Sequence, residues 1–431
     1  MCGLKRKLHS RTIREQYEAL NVFPEFVESR LDATRGEYVQ SVAKMERVLD
    51  IVQSSVGPAS MMSLATMIEL AHQRSRAGLY EEALVPLQGQ SFGEQGDMYS
   101  RLSQAVIHMR EGRIEAALAA AEEATEMCEA QGQADMDLSA FPACYGTLGV
   151  CRALAGDTDG SEEVLQMAAR WSSDATNVLV AMGNLGSLHW SLAADAEHAD
   201  DAGQRQERLQ EALAYWGDGV DHAVEAARDG TLGGEGGAAA AMCGVTGGGD
   251  YAGGMLGPGV EARVVKANDV SATADVDDGE GKGMSLEDRL KVDATLAEAY
   301  ASVLCNMAVA HKALGAAEAA SDELSAALTA LEGHDGPVLG RVLAEMARSY
   351  AANLQAVQAE GLFRTALDKL ACPQADRDPR YVQEQVRARR DYGKLLSQWD
   401  KREGEAGKQE EQARVLEAKL VTPMDSAWLL F

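Results

Sequence analysis

Five pairs of small residues, each pair twelve positions apart, constrain this chain more than any other feature: Ala71/Ala83, Ala105/Ala117, Gly149/Ser161, Ala308/Ala320 and Ala347/Ala359. The stretch Leu343–Leu370 shows what they are for. Leu343, Met346, Ala347 and Tyr350 recur at helical spacing, and so do Ala359, Leu362, Phe363, Ala366, Leu367 and Leu370. The pattern breaks for only a few residues between them, around Asn353–Gln358, which predicts two helices folded back as an antiparallel pair. Ala347 and Ala359 then sit one on each helix, where a larger side chain would hold the backbones apart. Such a hairpin cannot bury its apolar faces alone and needs copies stacked beside it.

The other small pairs mark those copies. Gly78, Gly112, Gly156 and Gly315 each stand five residues before the second small site, ending a first helix. Glycine suits a helix C-terminus because it adopts the left-handed conformation without a Cβ penalty. Gly78-Leu-Tyr-Glu-Glu-Ala-Leu84, Leu148-Gly149 with Gly156-Asp-Thr-Asp-Gly-Ser161, and Ala359-Glu-Gly-Leu-Phe-Arg-Thr-Ala-Leu367 are the most legible copies. In these motifs the chain resembles tetratricopeptide-repeat (TPR) proteins. Spacings of 42 residues (Gly36 to Gly78) and 34 (Gly78 to Gly112) resemble the kinesin-light-chain-like subgroup mixed with standard repeats. The resemblance implies an all-α fold: a right-handed superhelix, or α-solenoid, of stacked antiparallel helix pairs with about seven TPR-like repeats.

The chain divides accordingly. Residues 1–14 form a basic arm, with Lys5, Arg6, Lys7, Arg11 and Arg14 and no acid. Repeats fill 15–228, the first degenerate or capping, and the turn of the fourth is stretched by an acidic insertion near Ala193–Arg208. Residues 229–283 hold 16 glycines and nine acids against three bases, with no apolar period, and are expected to be a disordered linker. Its Gly247–Gly254 run lacks the strand and the Gly-Lys-Ser/Thr of a phosphate loop, and Asp275–Glu280 has its glycine misplaced for a calcium loop. Repeats resume over 284–420, and an apolar tail, 421–431, ends Trp-Leu-Leu-Phe. The tail is expected to cap the last helix or to serve as a free ligand.

A net charge of −27 disfavours nucleic acid, whose phosphates an acidic body repels, and favours basic peptide partners. Seven cysteines, an odd number with no Cys-x-x-Cys, suit a reducing compartment and give zinc no support. No run is apolar enough to span a bilayer. A cytoplasmic location is expected, with a mitochondrial alternative motivated by the basic arm.

No catalytic or metal-binding constellation occurs, so neither an enzyme nor a cofactor is expected. His108, His189 and His311 recur three residues past the first-helix small site, where TPR proteins place a packing aromatic, and a structural role is expected. The resemblance implies that first helices line a concave groove holding a peptide or a helix of another protein. Asn184 and Asn306 match the family's Asn two residues before the small site, and an amide offers a peptide unit both donor and acceptor. Lys312, Arg341 and Arg348 project nearby and could take a carboxylate. Alternatively, the two asparagines only bond neighbouring helices. The expected function is a non-catalytic scaffold or adaptor. A mitochondrial assembly factor and a regulatory subunit of an enzyme complex are the alternatives.

Overall fold

The computed structural model describes residues 13–34, 37–89, 91–135, 140–172, 175–198, 202–228, 285–292, 294–371 and 378–418. The Gly-rich segment 229–283, the tail 421–431 and all but the last two residues of the basic arm lie outside the described residues. Within them the chain is helical, with no strand.

After a short opening helix, α1 (Ile13–Ala19), the helices pair along the chain. The first pairs are α2 (Pro24–Thr34) with α3 (Tyr38–Val56), α4 (Met61–Arg76) with α5 (Tyr80–Leu84), and α6 (Gly93–Glu111) with α7 (Ile114–Asp135). Next come α8 (Phe141–Ala155) with α9 (Thr158–Trp171) and α10 (Ala175–His198) with α11 (Ala202–Arg228). A short α12 (Leu286–Val292) precedes α13 (Ala294–Ala313), which pairs with α14 (Ala317–Ala330). The last pairs are α15 (Pro337–Ala352) with α16 (Ala356–Leu370) and α17 (Pro379–Ser397) with α18 (Glu403–Glu417). Seven TPR-like pairs thus follow the α2/α3 capping pair, and each packs on the next.

The small pairs behave as their spacing demands. Ala71, Ala83, Ala105, Ala117, Ala347 and Ala359 are wholly buried. At Gly149 the close approach is explicit: the Ser161 hydroxyl donates to its carbonyl at 2.7 Å, and an added Cβ would lie 2.6 Å from Leu165 Cγ. Gly78, Gly112, Gly156 and Gly315 have φ of 77°, 77°, 87° and 81°, the left-handed helix stop expected of them. In each, the next residue's N–H reaches back to a helix carbonyl, as Arg113 does to His108 at 2.9 Å. Leu354 and Lys401 hold the equivalent turn positions with φ of 59° and 69°, although neither is glycine.

One local expectation needs correction. The insertion near Ala193–Arg208 does not stretch a loop. It is rich in Ala, Glu, Gln and Arg, which favour helix, and it lengthens α10 and α11 to 24 and 27 residues. Helix α5 is only five residues long, because Pro86 lies in the 3-10 turn Val85–Leu87 that follows it.

Apolar burial falls into two clusters. One runs from Ile13 to Leu188 and the other from Ala175 to Leu396, so α10 belongs to both and hands the core from one half to the other. The stack curves until its halves meet again. Arg76 on α4 pairs with Glu298 on α13 at 3.6 Å. Helix α6 touches α17, and a Cβ at Gly336, before α15, would lie 3.6 Å from the Tyr38 hydroxyl. Neither apolar cluster spans this meeting line. The solenoid therefore closes into a ring along a polar seam.

Candidate functional site

First helices carry an unusual load of buried polar side chains. On α13, α15 and α17 these form one network around Glu345, which is 5 % exposed. Lys312 Nζ donates to the Glu345 carboxylate at 3.2 Å and to its carbonyl at 3.0 Å. Arg348 donates to Glu345, to Glu384 at 2.9 Å and to Asp391 at 2.8 Å. Burial alone would raise the Glu345 pKa, but Arg348, Lys312 and Arg341 overcome it and hold the carboxyl at about 2. Burial likewise pulls the Arg387 guanidinium down to about 10, against the pull of Glu384.

The structure brings four of the five groove residues together. Asn306 donates to the Ser187 hydroxyl on α10 at 3.3 Å and accepts from Arg341 on α15, so its amide bridges three helices. Asn306 and Arg341 are buried; Lys312 and Arg348 keep part of their side chains exposed. Asn184 is buried on α10, one turn before Ser187. Both asparagines are therefore buried, Asn306 bonding neighbouring helices, while Lys312 and Arg348 stay partly exposed. Glu384 and Asp391, which complete the network, were missed in the sequence. They sit on α17, and in a sequence an acid that answers a buried cation cannot be told from one that faces solvent.

The recurring histidines do form helix-to-helix contacts. His311 Nδ1 meets Glu323 on α14 at 2.8 Å, and His189 Nδ1 meets Glu211 on α11 at 3.0 Å and stacks on Tyr215. Burial lowers the pKa of His189, and also of His108 beside Glu111.

The architecture is that of a TPR-like α-solenoid, and its first helices carry a buried polar and charged network. Solved structures of human IFIT1 resemble it. The human IFIT1 dimer with PPP-AAAA is 13 % identical, covers 89 % of this chain and 70 % of that one, and has a TM-score of 0.46. The dimer with m7Gppp-AAAA is 12 % identical, covers 89 % and 68 %, and has a TM-score of 0.45. A likeness at this level says nothing of ligands or activity. No protein-family model and no curated protein matches the chain.

Proposed function

We propose that this protein is a non-catalytic scaffold that holds a peptide or helix of a protein partner against the inner wall of its ring. The observation that carries the reading is the network around Glu345. Lys312, Arg341, Arg348 and Arg387 outnumber Glu345, Glu384 and Asp391 there, although the whole chain is strongly acidic. Lys312 and Arg348 are the groups a ligand reaches. Asn306, bonded to Ser187 and Arg341, ties α10, α13 and α15 together beside them, and Asn184 is buried on the same α10. A local positive excess in a low-dielectric wall attracts a carboxylate, so the partner presents an acidic side chain at this place even if it is basic elsewhere. Repeat spacing like that of kinesin-light-chain-like proteins is in keeping with an adaptor of this kind.

Selecting peptides from a displayed random library against the full chain tests the reading. Peptides recovered should carry an acidic position, and Lys312→Ala with Arg348→Lys should weaken them about tenfold or more, since each charge-assisted hydrogen bond contributes about 1.5–3 kcal/mol. Peptides that bind the double variant as well as the original chain would place recognition elsewhere.

A further inference from the structure

A cavity of about 410 Å³ lies between α16, α17 and α18, within the range of volumes that hold small molecules. Four charged side chains line it, two of each sign: Arg364 and Asp368 on α16, Arg389 on α17 and Glu405 on α18. Two of the four are answered by the protein itself. Arg364 pairs with Glu360 at 2.7 Å and donates to the Tyr392 hydroxyl at 3.1 Å. Glu405 accepts from Arg402 at 3.0 and 2.6 Å, and the exposed Lys408 acts on it as well. Arg402 also reaches Glu360 at 2.7 Å, which closes this set of ion pairs. Arg389 and Asp368 stand outside it. Among the described residues, neither has an oppositely charged group within ion-pair distance.

Arg389 is held in one position by neutral partners. Its Nη1 donates to Gln409 Oε1 at 3.0 Å and to Gln412 Oε1 at 2.6 Å, and its Nε is buried without a hydrogen-bond partner. Nη2 makes no hydrogen bond either, yet it is not buried, so it is the part of the guanidinium that remains open. Gln409, which also lines the cavity, accepts from Arg389 through its oxygen, and its NH2 group is left as a second donor. Burial lowers the Arg389 pKa, and no neighbouring charge acts on it in either direction. A guanidinium partly withdrawn from water without a counter-charge favours an anion beside it. Asp368, on the opposite wall, is exposed. Leu367 and Tyr392 supply the apolar part of the lining.

We propose that this cavity binds a free α-amino acid with an apolar side chain. The carboxylate sits on Arg389 Nη2 and the Gln409 amide, the ammonium on Asp368, and the side chain against Leu367 and Tyr392. A simple anion would meet Arg389 but also Asp368 and Glu405 in the same small space, and a simple cation would meet Arg389 and Arg364. A zwitterion offers each unpaired group its opposite and adds no net charge. The site shares no residue with the Glu345 network, and it stands or falls independently of the peptide reading.

The test is calorimetric titration of the full chain with leucine, N-acetylleucine and leucinamide at one pH and ionic strength. N-acetylleucine has no ammonium and leucinamide no carboxylate. Leucine should bind saturably, and the other two at least about tenfold more weakly, since each loses one charge-assisted contact. Arg389→Met should abolish leucine binding. Asp368 is exposed and bonds to no side chain, so Asp368→Asn leaves the fold intact and decides the matter if Arg389→Met does not fold. In Asp368→Asn, leucine and N-acetylleucine should bind with equal affinity. Absence of saturable leucine binding overturns the proposal without any variant. So does N-acetylleucine binding as tightly as leucine to the original chain, and so does leucine binding that Asp368→Asn leaves undiminished.

Discussion

A neutral imidazole is the only form of His72 that its surroundings accept. It is buried on α4, facing the Arg110 and Arg76 guanidinium groups, and both its burial and their charge lower its pKa well below 6.5. Burial also lowers His108 and His189. For a histidine depressed in the fold, the unfolded chain binds more protons in the interval below 6.5, so stability falls as pH drops through that value. Glu323 and Asp218, raised by burial, act in the opposite sense, but only nearer the carboxylate range. The unfolding temperature should therefore decline on going from about pH 7.5 to about pH 5.5, one unit either side of the ordinary histidine value. His72→Gln, which cannot be protonated, should flatten that slope. An equal slope in the variant would assign the acid sensitivity to other groups. None of this was legible beforehand. His108 and His189 could be placed on a repeat face by counting from the small site. Arg76 and Arg110, though, sit in the last turns of their helices, where a basic residue ordinarily faces solvent and answers the helix dipole.

At the scale of the element, the helix hairpin was the legible unit, and for a local reason. Close backbone approach needs a small side chain, and a left-handed stop favours glycine, so both leave marks at fixed offsets within a dozen residues. Ala105/Ala117 with Gly112, and Gly149/Ser161 with Gly156, could be placed to the residue on that basis. Where the mark is missing the geometry persists. Leu354 occupies the turn between α15 and α16 at φ 59°, bonded Leu354 N–H to Ala351 at 3.1 Å and followed by Gln355 to Tyr350 at 2.9 Å. A Cβ in that conformation costs about 1–2 kcal/mol, and at 90 % exposure the leucine recovers little of it by packing. Leu354→Gly should consequently stabilise the protein by about 0.5–1 kcal/mol, less than the full strain because glycine also frees the unfolded chain. Chemical denaturation would read this as a higher midpoint at unchanged slope. The same substitution at Gly112 in reverse, Gly112→Leu, should destabilise. The helix ends around the α10/α11 insertion were misread because helix-forming residues there extend both partners at once, a choice that composition permits but turn signals do not announce.

Ring closure belongs to the whole molecule and could not be read from any repeat. Each pair is rotated slightly against the next, and whether the first pairs meet the last depends on the sum of those rotations, to which every contact along α4–α17 contributes. The seam's residues are correspondingly scattered: Tyr38, Arg76 and Arg110 on one side, Glu298, Gly336 and Arg380 on the other. Because neither apolar cluster crosses it, the seam depends on polar contacts that water can replace, whereas the stack behind it depends on apolar burial. Glu298 is the carboxylate that answers Arg76, and it is about one-quarter exposed. Glu298→Lys would leave Arg76 facing a like charge, with Arg110 close by. Repulsion among three cations in a partly buried seam should outweigh the few polar contacts that hold it shut. The expected outcome is an open solenoid: a larger radius of gyration by solution scattering, with helical content by circular dichroism unchanged. Molar salt should partly restore the closed form of the variant, since it shortens the screening length to about 3 Å. A scattering profile identical to that of the original chain would mean that the apolar stack alone sets the curvature, and that the seam's charges merely accommodate it.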